Sequence, residues 1–197
     1  MADAPARDAV VSSEADQLIL VDDRDREIGH NSKAACHDGH GILHRAFSLF
    51  VFNGRGELLL QKRSASKRLW PGFWANSCCS HPRRGEDMHG ATRRRLREEL
   101  GLECGLKFLY KFQYQADYDG LGAEHELCWV YVGSTDAPVR ANATEIADWR
   151  FIEPDVLDRE IAGNPQHFTP WLRLEWQRLR NEFRSELPGA RIKEDGA

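Results

Sequence analysis

Short apolar runs separated by turn-forming residues fill the chain up to about residue 152, with one stretch of helical spacing among them. Gln17–Val21 reads as a strand leading into the turn-rich Asp22–Arg26. Ala46–Phe52 and Glu57–Gln61 flank Asn53-Gly54-Arg55-Gly56, which has the chemistry of a hairpin turn. Trp70-Pro71-Gly72 then breaks the chain before a short segment at Phe73–Ser77. Between Asp87 and Leu100 the period changes. Met88, Ala91, Arg95/Leu96 and Glu99/Leu100 recur at helical spacing, and Gly101 is placed to end a helix there. Leu106–Tyr118 and Glu126–Gly133 read as strands around the turn Asp119-Gly120-Leu121-Gly122, and Asp148–Ile152 as one more. Pro154 suits a first helical turn and Asp155–Ala162 follows it; a last helix opens at Thr169 or Pro170 and runs through Leu179. This order predicts a mixed α+β fold.

At 197 residues the chain fits one domain with a sizeable core. Its apolar content of 41% and charged content of 29% are those of an ordinary globular protein. A net charge of −4 argues against broad nucleic-acid binding. No apolar stretch nears the ~20 residues that span a bilayer, so no membrane partner is expected. The start of the chain lacks the charged-then-apolar order of a secretory signal, and the five cysteines are an odd number, so reduced thiols in the cytoplasm are expected. Residues 1–15 read as a disordered arm and 186–197 as a flexible tail around a single domain at 16–185. A monomer is the expected state.

The run from Trp74 to Leu102 changes the picture, because it gathers two cysteines, a histidine, an arginine cluster and the glutamates Glu86, Glu98 and Glu99 around one predicted helix. Thiols can carry protons, carboxylates can hold hard metals, and guanidinium groups pair with phosphate oxygens. Lys62, Arg63, Lys67 and Arg68 lie before the cysteine pair and more arginines after it; most read as a solvated face, with a subset able to converge on one anion. Glu124 and Glu126 would share one face of a strand, with His125 on the other. With His37, His44 and His81 they would suit a divalent metal of mixed N/O character. Surface or core histidines fit the same spacing, and so does a structural zinc site drawing on Cys36, Cys78 and Cys79, although no CxxC pair supports it.

Ser80–Leu102 resembles a Nudix box. Glu86, Arg94, Leu96, Glu98, Glu99, Gly101 and Leu102 match it, whereas Ser80 replaces its leading glycine and Arg95 the first glutamate of its Arg-Glu pair. A cation at that position should weaken metal binding for hydrolysis by repulsion. Asn76-Ser77-Cys78-Cys79-Ser80-His81-Pro82 is similar to the active-site cysteine motif of one Nudix branch, the type I isopentenyl-diphosphate isomerases. That resemblance extends to Lys33, His37, His44-Arg45-Ala46-Phe47-Ser48, Arg63 to Lys67, Trp70-Pro71-Gly72, Tyr114, Glu124 to Cys128 and Pro170-Trp171, in order over roughly residues 16 to 180.

The resemblance implies a Nudix-type mixed sheet sandwiched between helices, and a reversible allylic proton shift between the two C5 prenyl diphosphates, isopentenyl and dimethylallyl. It assigns Glu126 as forward proton donor and Cys79, as thiolate, as acceptor, with Tyr114 bonded to the glutamate and the Trp171 ring against the cationic carbon. Cys78 falls at the variable position of the motif and should point into the core. His37, His44, His81, Glu124 and Glu126 match the family's metal site, for Mn2+ or Mg2+ with Zn2+ as another fit. Glu99 matches the residue that helps hold a second Mg2+ on the diphosphate, and Lys33, Arg63, Lys67 and Arg95 match the diphosphate-binding cations. No flavin is implied. The competing reading is a Nudix hydrolase of a nucleoside diphosphate derivative, which leaves Cys79, Trp171 and the histidines unexplained.

Overall fold

The computed structural model describes residues 8–189. Nine strands form one mixed sheet, and helices cover both of its faces. The strands are β1 Gln17–Val21, β2 Glu27–Ser32, β3 His44–Phe52, β4 Leu58–Arg63, β5 Trp74–Ala75, β6 Cys78–Ser80, β7 Leu106–Tyr118, β8 Gly122–Ser134 and β9 Ile146–Ile152. The helices are α1 Lys33–His37, α2 Met88–Leu100, α3 Pro154–Gly163 and α4 Pro170–Glu182.

Two central strands explain the sandwich. Every residue of β3 except Arg45, and Leu58 to Gln61 of β4, is buried, as expected of strands covered on both faces. Successive side chains of β3 therefore feed two cores. Phe50 and Phe52 pack with Leu172, Trp176 and Leu179 of α4, while Phe47, Leu49 and Val51 pack with Ala91, Leu96 and Leu100 of α2. The Asp87 carboxylate caps α2 by accepting from the Gly90 N–H at 2.7 Å. Gly101 ends the helix at φ 64°, in the left-handed region that glycine enters without penalty.

The predicted α+β order is the observed one, with three differences. β2 and α1 were not predicted. β2 is a polar edge strand paired only to β1, so it shows none of the alternation that marks a half-buried strand. The predicted hairpin of β3 and β4 closes at its turn, where the Asn53 N–H donates to the Glu57 carbonyl at 3.0 Å, but pairs only through Phe52 and Leu58. Beyond that point the two strands diverge: β3 runs parallel to β8 over its whole length, and β4 pairs with β9. Third, β8 begins at Gly122, earlier than expected, which brings Glu124 into the strand.

The predicted terminal segments fall partly outside the described residues, at 1–7 and 190–197. Their described parts lie against the body. The Ala9 carbonyl accepts from the Asn142 amide at 2.8 Å, the Val11 carbonyl accepts from Arg83 and Arg95 at 3.0 Å, and Leu187 is 5% exposed within the α4 core.

Leu179→Ala is expected to lower stability in urea unfolding by about 2–5 kcal/mol, because Leu179 is fully buried. Leu174→Ala on the 49% exposed face of the same helix should change it by about 0.5 kcal/mol or less.

Candidate active site

The register of the central strands sets the geometry. On β8, Glu124, Glu126 and Cys128 share the α4 side of the sheet. Parallel pairing puts His44 of β3 beside Glu126 and antiparallel pairing puts Tyr114 of β7 beside it on the other edge. β6 adds to β3 so that Cys79 pairs with Ser48 and Cys78 with Leu49. The vicinal thiols therefore point to opposite faces. Cys78 is fully buried in the α2 core, whereas Cys79 lies against the aromatic cluster of Trp70, Tyr114 and Trp171. His125 faces away from Glu124 and Glu126 and lies 3.2 Å from the Gln113 amide.

A cavity of about 530 Å³ opens there, within the size range of small-molecule sites. Lys33, His37, Arg63, Lys67, Cys79, His81, Arg95, Tyr114, Glu124, Glu126 and Trp171 line it. Of the residues to which the resemblance gives catalytic, metal or diphosphate roles, His44 and Glu99 are not on its wall; both are buried.

At one end, ligand atoms of His37, His44, His81 and Glu124 all lie within 4.8 Å of one another. Two backbone carbonyls orient the rings: Lys33 O lies 2.6 Å from His37 Nδ1 and Ile42 O lies 2.7 Å from His44 Nδ1. A donor role for each Nδ1 leaves each Nε2 lone pair free to face the cluster, which is how metal-binding imidazoles are commonly held. α1 can carry His37 this close because Gly122 lacks a side chain; a Cβ there would meet the His37 carbonyl at 2.3 Å. His44 Nε2 is buried without a hydrogen-bond partner, and Glu124 Oε2 lies 2.8 Å from His37 Nε2 outside hydrogen-bonding geometry. Buried polar atoms left in this state, all turned to one point, fit a divalent cation. Glu126 stands at the edge of this group, with Oε1 2.9 Å from His81 Nε2 and 4.0 Å from His44 Nε2.

Burial lowers the pKa of His44 to about 4, aided by the charge of His37, and holds His81 well below its ordinary value. Burial acts the same way on His37, but Glu124 and the Lys33 carbonyl outweigh it and raise that group. Burial and the neighbouring charge of Glu124 push the Glu126 carboxyl well up, while Tyr114, donating to Glu126 Oε2 at 2.8 Å, works against them. Burial takes Cys79 up to about 12; the Arg63 guanidinium, 3.9 Å from its sulfur, acts in the opposite direction. Arg63 is held there by the Leu69 and Trp70 carbonyls and lies 5.2 Å from the Trp171 ring centroid. The Trp171 indole in turn donates to the Asn76 side-chain oxygen at 3.2 Å.

The other end is cationic. Arg95 is 3% exposed and donates to Glu98 at 2.9 Å and Glu99 at 2.5 Å, and Lys67 pairs with Glu145. Glu145 also lies 3.2 Å from Arg95, so one buried carboxylate holds two of the four cations. Lys33 bonds Ser12 at 3.0 Å and lies 3.3 Å from Glu14. Glu145, Ser12 and Glu14 were missed in the sequence. They sit in segments without periodicity, where nothing local distinguishes a lining residue from an exposed one. Glu175, buried on α4, was also missed, although a charge on the apolar stripe of a helix is a readable signal.

A NUDIX domain model matches residues 42–172, and the fold agrees with solved members. A solved Deinococcus radiodurans protein superposes with a TM-score of 0.62 at 26% identity, covering 75% of this chain and 89% of its own. A MutT protein of Methanosarcina mazei Go1 does so at 0.60 and 16% identity over 72% and 95%, which is a likeness of fold. Among curated proteins, Isopentenyl-diphosphate Delta-isomerase 1 of Photorhabdus laumondii is 43% identical over 171 residues, 85% of this chain and 97% of that protein. Isopentenyl-diphosphate Delta-isomerase of Serratia proteamaculans is 44% identical over 156 residues, 79% and 87% of the two chains. The chain belongs to the NUDIX family and, within it, to the isopentenyl-diphosphate Delta-isomerases.

A divalent cation bound by His37, His44, His81 and Glu124 would raise the melting temperature by mass action. Added Mn2+ is expected to do so for the native chain and to leave His44→Ala unchanged, as read by scanning calorimetry; an equal rise in both would count against the cluster.

Proposed function

We propose that this protein interconverts isopentenyl diphosphate and dimethylallyl diphosphate by protonation and deprotonation. The observation that carries the reading is one desolvated cavity lined by a Tyr114-bonded Glu126, by Cys79 and by the Trp171 ring, in a chain whose relatives bear that isomerase name over most of their length. An unactivated alkene is a very weak base, so its protonation calls for an acid kept protonated in a dry site. Glu126 meets that need, since burial and Glu124 hold its proton on. Proton delivery to the terminal alkene carbon leaves a tertiary cation, against which the π face of Trp171 is attractive by about 0.5–2 kcal/mol. Cys79 then takes the proton from the neighbouring carbon, and the new double bond forms there. The acceptor is the thiolate, and Arg63 beside the sulfur is the group that favours it against burial. Exchange with solvent returns Glu126 to the acid and Cys79 to the thiolate. The reverse direction exchanges the two roles.

His37, His44, His81 and Glu124, with Glu126 at their edge, would hold a divalent ion, which supplies charge to orient and polarise the Glu126 carboxyl. Mn2+ and Mg2+ suit this donor set and Zn2+ is a further fit. Lys33, Arg63, Lys67 and Arg95 would take the diphosphate, with Glu99 aiding a Mg2+ on it. Binding energy from that unreacting end can then be used for desolvation at the alkene. No step in this scheme calls for a flavin.

In D2O with Mg2+ and no flavin, either C5 diphosphate should be converted to the other with deuterium incorporated; release of inorganic phosphate or pyrophosphate without isomerisation would favour hydrolysis instead. Cys79→Ala is expected to lose about 10²-fold or more in kcat. Cys78→Ala should keep most of its turnover and lose stability, and equal loss of turnover in both would sink the assignment of the thiol.

A further inference from the structure

The buried residues of α4 are Trp171, Leu172, Glu175, Trp176 and Leu179, so one ionisable group sits on an otherwise apolar stripe. Glu175 is 1% exposed and lies one helical turn after Trp171, on the same side of the helix. The sheet beneath it is the face that carries the reacting groups. Cys128 is the next side chain after Glu126 on that face of β8, and Ser48 is the cross-strand partner of Cys79. The Cys128 sulfur lies 3.5 Å from both Glu175 Oε1 and Ser48 Oγ, and the Tyr110 hydroxyl donates to the Glu175 backbone carbonyl at 3.3 Å.

This setting does not suit a carboxylate. Glu175 Oε2 is buried with no hydrogen-bond partner, and the carboxyl has only the neutral Cys128 thiol and Ser48 hydroxyl beside it. The cation next along the helix, Arg178, is engaged with the Tyr110 ring at 4.2 Å and with Glu182 at 3.0 Å. A buried ion without a counter-charge is costly, whereas the neutral acid is not. Burial raises Glu175 to about 8, against weaker opposing effects of Ser48 and Cys128. A negative charge on Glu175 would act on every titratable group packed near it: on Cys79 of β6, on Glu126 and Cys128 of β8, and on Tyr110 and Tyr114 of β7. In each case it opposes ionisation, and so it works against the Cys79 thiolate.

We propose that Glu175 is a positioning residue of the isomerisation that works as the neutral acid: it anchors α4, and with it Trp171, on the sheet beside Cys79 and Glu126, and its ionisation turns the site off. The inference rests on the isomerase reading given above. The sign follows from burial. The folded group binds its proton more tightly than an unfolded glutamate of pKa 4.5. Its contribution to stability is thus complete below that value and is lost as the pH rises through about 8.

Infrared spectroscopy of the substrate-free protein, joined to a pH–rate profile, tests this. A protonated-carboxyl band should be present at neutral pH, disappear with a midpoint near 8 and be missing in Glu175→Gln. Absence of any band that this substitution removes would overturn the proposal. In the native chain kcat should fall through the same midpoint; in Glu175→Gln the alkaline limb should move to higher pH, and an unmoved limb would overturn the link to turnover. Should Glu175→Gln not fold, Cys128→Ala serves in its place: losing the thiol should shift the band and raise its midpoint, and an unchanged band would speak against the anchor. The band needs no substrate, so failure of the isomerase reading would show as absent turnover with the band intact.

Discussion

A slip of one residue between β3 and β8 would turn Glu124 and Glu126 onto the α2 face of the sheet and leave the histidines without carboxylates. The parallel pairing of His44 with Glu126, continued without a break to Phe52 and Ser134, is therefore the constraint on which the rest of the site depends. It brings His44, at the start of β3, level with Glu126 of β8. The other pairings follow from it. β6 takes its register from β3 and so delivers Cys79 to the same face, and β7 takes its register from β8 and so delivers Tyr114. β3 is buried on both faces and β8 is buried on the α4 face and half-buried on the other, so the register is held by packing on each side and not by hydrogen bonds alone.

Burial of charge is the second constraint, and it divides the cavity into two chemically distinct ends. At the cationic end every buried charge has a partner: Arg95 has Glu99 and Glu145, and Lys67 has Glu145. Breaking such a buried pair typically costs about 3–5 kcal/mol, because the survivor is left uncompensated. At the reacting end the compensation is incomplete by construction. Glu126 and Cys79 are held toward their neutral forms because their surroundings are aromatic and apolar, with Trp70, Tyr114 and Trp171 among them. The acid role proposed for Glu126 benefits from that imbalance, whereas the thiolate role proposed for Cys79 is opposed by it and depends on Arg63; a site for a diphosphate needs the opposite. The sheet separates the two conditions within one cavity.

Much of this was legible in the sequence. The alternation and the helix stop at Gly101 located most strands and α2, and the motif order of the resemblance pointed to Cys79, Glu126, His37, His44 and His81, which the fold brings together. Strand alternation says that only one of Cys78 and Cys79 can face the cavity; the resemblance, whose variable position falls at Cys78, chose Cys79, and it is Cys79 that lines the wall. What sequence could not reach was set by contacts distant along the chain. β2 and α1 carry no periodicity of their own and take their form from β1 and from the Ser32 cap, whose hydroxyl accepts from the Ala35 N–H at 3.3 Å. The divergence of β3 from β4 depends on β6 and β5, which take the facing edges of β3 and β4 beyond the turn. Glu145 joins the site from a loop, through hydrogen bonds that tie its backbone to Ser64 and Asn142.

The glutamates of the NUDIX box show how one substitution redirects a fold. Glu86, Glu98 and Glu99 remain, as a hydrolase of this fold would keep them; Glu86 and Glu98 bond the box's own Arg94 at 2.7 and 3.0 Å, and Arg95 adds bonds to Glu98 at 2.9 Å and Glu99 at 2.5 Å. Arg95 stands where the box has another carboxylate, so the cluster loses one negative charge and gains a positive one. A cluster of several divalent ions on the diphosphate would meet that charge directly. The carboxylates hold Arg95 in place, which in the proposed scheme makes this end of the cavity a grip for the diphosphate. The proposed reacting pair stands elsewhere on the sheet, on β6 and β8, where Cys79 and the Tyr114-bonded Glu126 lie beside the aromatic cluster.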